Sequence, residues 1–191
     1  MRGVRAREQA RVGARERAGA GRRASPRMGR SVNIGRLEPR LSDRFSVVPA
    51  SYLIFRRDGQ VLLQLRRGTG YMDEHWATAA AGHVEAGESA LEAALREAKE
   101  ELGVTVAPGA VVPVTAMHRR QGEFLPVNER VDFFFACTEW EGEPQIMEPG
   151  KAAELRWFGL DSLPTPMVPH ELSVFELLAG GVPPILTHGF S

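Results

Sequence analysis

The stretch Gly82–Val104, GHVEAGESALEAALREAKEELGV, decides how this 191-residue chain is read. Within it, Ser89-Ala90-Leu91-Glu92 has the spacing of a capping box, in which the serine hydroxyl accepts from a first-turn amide and the glutamate reaches back to the serine amide. Leu91, Leu95, Ala98 and Leu102 recur at helical spacing and predict the buried stripe of a helix over Ser89–Leu102. On another face Glu97, Glu100 and Glu101 stand at i, i+3 and i+4, so their carboxylates are neighbours and repel unless a cation sits among them. An acidic helix face is ordinarily a solvated one. Here Gly103 follows the last turn directly, and the compact loop Gly82–Glu88 precedes the cap, a combination that favours a divalent-metal cluster. Hard carboxylate oxygens suit Mg²⁺ or Mn²⁺, and Mg²⁺ usually shares its shell between one or two carboxylates and substrate phosphates.

Outward from this stretch the chain alternates apolar runs with turn signals. Val47–Phe55 and Val61–Leu65 read as strands joined across an Asp58-Gly59 turn. Trp76–Gly82 follows a glycine-rich loop holding Gly68, Gly70 and Tyr71. Val104–Val106, Val111–Met117, Arg130–Thr138 and Leu155–Phe158 are further expected strands, and a second helix is expected near His170–Ala179. Proline and glycine at Pro108, Gly109, Gly122, Pro126, Gly142 and Pro149 punctuate the series. Strands and helices so mixed predict one α/β or α+β domain.

Composition narrows the class. The chain holds 24 Lys+Arg and 24 Asp+Glu, but the zero net charge is a cancellation. Residues 1–30 carry ten arginines against Glu8 and Glu16, so the remainder is acidic by eight charges. That acidic balance argues against a large nucleic-acid-binding face. Residues 1–30 are nearly all Arg, Ala, Gly, Glu and Ser, too poor in apolar surface to offset ordering entropy, and residues 1–42 are expected to be a disordered extension and linker. The head reads as an extension upstream of a start at Met28 or as a solvated tail, with a transit segment or nucleic-acid arm as the sharper alternative. The domain is expected over 43–191. No apolar run approaches the roughly 20 residues of a spanning helix, and the single Cys137 excludes an intrachain disulfide, so a cytoplasmic protein is expected.

Gly82, Glu88, Arg96-Glu97, Glu100-Glu101 and Gly103-Val104 fall at the fixed positions of G-x5-E-x7-R-E-U-x-E-E-x-G-U, where U is apolar, and on these residues the chain resembles the Nudix family. Seven fixed residues at typical usage match by chance less than about once in a million such chains. Trp140-Glu141-Gly142-Glu143-Pro144, followed by Trp157-Phe158, is similar to the MutT-like branch and extends the resemblance over about Phe45 to Pro164. Ala79-Ala80-Ala81 stands where the family pattern usually has a proline before the loop.

The resemblance implies an α/β/α sandwich with a mixed central sheet and a metal-dependent pyrophosphohydrolase of a nucleoside diphosphate linked to another group. It implies that Glu97, Glu100 and Glu101, with a backbone carbonyl at Ala81 or Gly82, hold Mg²⁺ or Mn²⁺. It makes Glu88 and Arg96 the ion pair that fixes the loop to the helix, with Gly103 as the helix stop. Glu97, Glu101 and Glu148 are the candidates for the base that takes a proton from the attacking water. A (deoxy)nucleoside triphosphate is the expected substrate, giving a monophosphate and pyrophosphate. A nucleotide sugar, ADP-ribose or a non-catalytic nucleotide-binding module are the alternatives, and a homodimer stays open. Tyr71, Trp76, Phe124 and Trp157 are candidates to stack on a base, although core packing competes for each. Arg66, Arg67, Arg119 and Arg120 are candidates to pair with phosphate. His83 sits at a free position of the motif and receives no catalytic role, and Cys137 is expected to be buried in a strand.

Overall fold

A computed structural model describes residues 45–122 and 128–190. The expectations for residues 1–42 and for Phe124 therefore lie outside the described residues. The elements run β1 (Val48–Arg57), β2 (Gln60–Arg66), β3 (Trp76–Thr78), β4 (Ala80–His83), α1 (Ala90–Leu102), β5 (Val111–Arg120), β6 (Glu129–Cys137), β7 (Ala152–Gly159), α2 (Pro169–Phe175) and β8 (Ile185–His188). Asp58 and Gly59 both have positive φ, 52° and 77°, as the tight hairpin between β1 and β2 requires.

The strands order as β3-β2-β1-β6-β5-β8, with β4 beside β1 and β7 beside β2. β1 forks this sheet: Ala50–Leu53 pair antiparallel with β4, and Arg56–Arg57 pair antiparallel with β2. Its other edge runs parallel to β6 from Val48 to Phe55. The sheet is mixed, as expected. Successive residues of a strand point to opposite faces, and the core divides accordingly. Tyr52 and Ile54 join Val61, Leu63 and Phe134 against Val174 and Phe175 of α2. Leu53 and Phe55 join Leu62 and Cys137 against Ala94, Ala98 and Leu102 of α1. Burying each of these larger side chains contributes about 1.5–3 kcal/mol. One helix on each face makes the α/β/α sandwich.

The helix predicted over Ser89–Leu102 is α1, with Ser89 as its cap and the reciprocal capping-box bonds both formed. Its buried face differs in detail from the expected stripe. Ala93, Ala94, Ala98 and Leu102 are buried, whereas Leu91 and Leu95 are only partly so. Small side chains at the contact let the helix approach the sheet, and Ser51 on β1 donates its hydroxyl to the Ala90 carbonyl at 2.7 Å. Gly103 caps the helix in left-handed backbone, φ 71°, and its amide donates to the Lys99 carbonyl. The expected strand Val104–Val106 does not form. Thr105 makes only an isolated bridge with Glu141, and Val104 and Val106 are buried by packing instead. β8 was not expected from the sequence.

Candidate active site: an acidic cleft beside a ring-lined pocket

The loop between β4 and α1 brings the charged residues of the helix onto the end of β4. Arg96 organises them. Its Nε and Nη2 donate to the two carboxylate oxygens of Glu88 at 3.1 and 2.8 Å, a bidentate pair that ties the loop to the helix. Nη2 also donates to the His83 carbonyl at 3.1 Å. Nη1 donates to Glu97 at 2.7 Å and to Glu100 at 3.0 Å. One guanidinium thus stands among three carboxylates, and they hold its proton more firmly than usual, Glu88 most of all.

Glu97 and Glu101 turn inward. A Cβ added to Gly82 would fall 1.9 Å from Glu97 Oε1, so only glycine lets that carboxylate seat against the β4 backbone. Glu101 Oε2 accepts from the Ala81 amide at 2.9 Å. Burial pushes the Glu101 carboxyl up to about 8, with Glu97 and Glu148 adding to the rise, and burial likewise raises Glu97. Two carboxylates are therefore held partly buried, side by side, at a cost that a cation would relieve. Among the described residues no three His, Cys, Asp or Glu side chains already enclose a metal position. The donor set nevertheless fits a hard divalent cation. It offers carboxylate oxygens from Glu97, Glu100 and Glu101 beside a backbone kept open by Gly82.

Glu148 approaches the same cleft from the loop before β7. The Met147 amide donates to the Glu101 carbonyl at 3.0 Å, and Lys151 Nζ pairs with both Glu148 oxygens at 2.9 and 2.7 Å. The Lys151 ammonium is held in its charged form chiefly by Glu148 and also by Glu101 and Glu97. With Glu97, Glu101, Gly82, Arg66 and Thr69, Lys151 lines a cavity of about 350 Å³.

That cavity shares Arg66, Ala81, Gly82 and His83 with a larger one of about 520 Å³. Tyr52, Tyr71, Arg119, Gln121, His170 and Glu171 line the larger pocket. Tyr52 lies stacked on Phe134, with centroids 4.5 Å apart, and its hydroxyl meets His170 Nε2 at 3.3 Å. Asp132 is fully buried beneath, paired through Oδ2 with the Arg119 guanidinium and 3.7 Å from His170 Nε2. Its Oδ1 accepts no hydrogen bond among the described residues. Burial raises the Asp132 carboxyl against the pull of Arg119. Burial, with Arg119 next, lowers His170 far enough to keep the ring neutral. Glu171 takes the Thr78 amide at 2.5 Å, and burial raises its carboxyl to about 7.

The sequence-based candidates sort cleanly against this geometry. Gly82, Glu97 and Glu101 line the cleft, Arg96 ties Glu88 and Glu100 beside it, and Glu148 meets it through Lys151. Tyr71 and Arg66 line the pocket, and Arg119 reaches it from its buried pair with Asp132. Trp76 takes the competing fate, core packing, edge-on against Phe158. Trp157 is packed as well, stacked on Trp140 under the Arg57 guanidinium and absent from the pocket lining. Arg120 lies over Phe190, and Arg67 is exposed with its amide bonded to the Lys151 carbonyl. Cys137 is buried as expected. Tyr52, Asp132, His170 and Glu171 escaped the sequence reading. Asp132 alone left a trace there, as a charge inside the apolar run Val131–Cys137.

A sequence model of the NUDIX domain matches residues 46–178. Among solved structures, the chain is similar to the mMutator MutT protein from Bacillus halodurans at 29% identity and TM-score 0.59, covering 74% of this chain and 90% of that one. It shares the fold of the MutT NUDIX hydrolase from Burkholderia pseudomallei at 24% identity and TM-score 0.62, covering 70% of this chain and 98% of that one. It also shares the fold of a UDP-X diphosphatase at 20% identity and TM-score 0.52, covering 77% and 70%. The comparison with curated proteins gave no match.

Proposed function

From the premise that this chain belongs to the NUDIX domain family and is a hydrolase of phosphoric anhydride bonds, we propose that it cleaves a (deoxy)nucleoside triphosphate to the monophosphate and pyrophosphate. The observation that carries this reading is the shared wall: the acidic cleft and the 520 Å³ pocket meet at Arg66, Ala81, Gly82 and His83. A substrate with a ring system at one end and a polyphosphate at the other spans the two.

Each part has work suited to its chemistry. Glu97, Glu100 and Glu101, with the Gly82 carbonyl, would hold Mg²⁺ or Mn²⁺. Such a cation, when bound, neutralises phosphate charge and makes a bound water more acidic. The seating of Glu97 against Gly82 and the Ala81 amide on Glu101 fix those carboxylates before substrate arrives. Glu97, Glu101 or Glu148 takes the proton of the attacking water. The Lys151 ammonium donates to both Glu148 oxygens and so competes with the water for that carboxylate. Arg66 and Lys151, on the rim, offer donors to the phosphates beyond the scissile bond. Arg96 and Glu88 act on positioning alone, by keeping the loop on the helix. In the pocket, the Tyr52 and Tyr71 rings face a base, and the Glu171 carboxyl receives its N–H donors, while Asp132 beneath holds Arg119 in place.

A product-resolved screen with Mg²⁺ tests the reading. Nucleoside triphosphates, nucleotide sugars, dinucleoside polyphosphates and ADP-ribose are incubated with the protein, and the products are separated. A nucleoside monophosphate with an equal amount of pyrophosphate is expected from one or more triphosphates. Preferential cleavage of a nucleotide sugar or of ADP-ribose would replace the triphosphate by that substrate. Binding without any turnover would replace the enzyme by a binding module.

A further inference from the structure

β8 lies beyond the residues that the NUDIX domain model matches, yet it is built into the domain with care. It runs parallel to β5, with Ala116 opposite Ile185 and Arg119 opposite His188. Thr115 donates its hydroxyl to the Pro183 carbonyl at 2.8 Å, and the Ala116 amide donates to the Pro184 carbonyl at 3.1 Å. Gly189 has φ 78°, and a Cβ there would lie 2.0 Å from the Arg120 carbonyl oxygen, so only glycine permits this approach. Phe190 then packs on His118 at 4.6 Å between centroids, under the Arg120 guanidinium.

The strand delivers His188 to the back of the substrate pocket. The His188 ring stands 6.2 Å from that of His170, between centroids. Both rings line a chamber of about 220 Å³, together with Met72, Tyr71, Arg119 and Gln121. The last three and His170 also line the 520 Å³ pocket. The chamber and the pocket thus share these four side chains as lining, and among them Tyr71 donates to Gln121 at 2.7 Å. A wall with a void behind it yields to a larger occupant, and a wall backed by packed side chains does not.

We propose that β8 is a specificity element of the hydrolase, in which His188 is the positioning residue that sets, from behind, how deep a base the pocket accepts. The proposal rests on the reading of this pocket as the base site. His188 touches no substrate. It backs His170 and limits the room into which Tyr71, Gln121 and His170 recede. Enlarging the side chain at 188 shrinks that room and works against bicyclic bases, and removing it works in their favour.

Two opposite changes test this in the full chain. kcat and KM are measured for purine and pyrimidine nucleoside triphosphates, and nucleoside monophosphate binding is measured by calorimetry. His188→Trp is expected to lower the purine-to-pyrimidine ratio of kcat/KM by about tenfold, through KM, the size of effect expected from shape changes in a pocket. His188→Ala is expected to raise the same ratio, and calorimetry should follow both trends. Thr187→Ser, exposed on the same strand, should leave the ratio at the wild-type value. If His188→Trp does not fold, Met72→Phe fills the chamber from its other wall and should lower the ratio likewise. Ratios that move in one direction for both His188 variants, or do not move, would overturn the proposal and leave the nucleotide reading standing. A wild-type protein that neither cleaves a nucleotide nor binds any monophosphate would remove that reading, and the proposal with it.

Discussion

The acidic cleft takes Gly82, Glu88, Arg96, Glu97, Glu100 and Glu101 from one continuous stretch, whereas the adjoining pocket draws Tyr52 from β1, Arg119 from β5, and His170 and Glu171 from α2. The first is fixed by local geometry: a capped helix, a loop tied by a bidentate ion pair, and a glycine that admits a carboxylate. The second exists only once the sheet is assembled, because its walls come from strands far apart in the chain. The difference also separates roles. The cleft supplies chemistry common to any polyphosphate, and the pocket decides which polyphosphate enters.

Changes in the cleft should therefore reduce turnover broadly, and changes in the pocket should redistribute it among substrates. The largest effect is expected from Glu97→Gln and Glu101→Gln. Each keeps the helix, since Glu and Gln have similar helix propensity, and each removes a charge where the cation and the water are handled. Turnover should fall by at least about 10²-fold for every substrate, the lower range for losing a general base or a charge-stabilising group. Initial rates under saturating Mg²⁺ check this, with Glu92→Gln as the same-helix control. A loss confined to one base would break the division between cleft and pocket.

Gly82→Ala should follow, since the new methyl displaces the Glu97 carboxylate. The obstacle is the far end of a flexible side chain that can swing away, so turnover should drop with little loss of stability. Thermal melts and rates on the same preparation check both. Glu148→Gln should cost less than Glu101→Gln if Glu148 assists, and as much if it is the base.

Glu171 gives the smallest and most pocket-specific effect. Its folded carboxyl is raised from 4.5 to about 7 by burial, so the fold favours the neutral form. That contribution is full below pH 4.5 and is lost as pH rises through 7, by up to about 3 kcal/mol. Glu171→Gln stays neutral and can still accept the Thr78 amide. Urea melts of the metal-free protein should show wild type losing stability over that pH range, and the variant losing less. Parallel pH curves for the two proteins would contradict the burial of an ionisable Glu171.

The same contrast explains what could be read from sequence. Ser89, Glu92 and Gly103 announce α1 because caps and stops are local, and Asp58-Gly59 announces its hairpin for the same reason. Val104–Val106 looks like a strand because its apolar alternation suits one, but among the described residues only the Thr105–Glu141 bridge pairs with it. β8 was hidden because Ile185–His188 is short, half exposed and preceded by two prolines. Trp76 and Trp157 looked available for stacking, and tertiary packing consumed both. The polar floor of the pocket left almost no signal, because Asp132 meets Arg119 and His170 only through the pairing of β5 with β6 and the docking of α2.

The most direct test of the central claim, that the acidic face of α1 is a divalent-cation site, needs no substrate. Mn²⁺ is titrated into wild type, Glu97→Gln and Glu92→Gln, and free Mn²⁺ is followed by electron paramagnetic resonance. Wild type and Glu92→Gln should bind with equal affinity, and binding should weaken by about tenfold or more in Glu97→Gln, the scale on which even an outer partner of a metal site matters. Equal binding by all three proteins, or none by any, would contradict the claim.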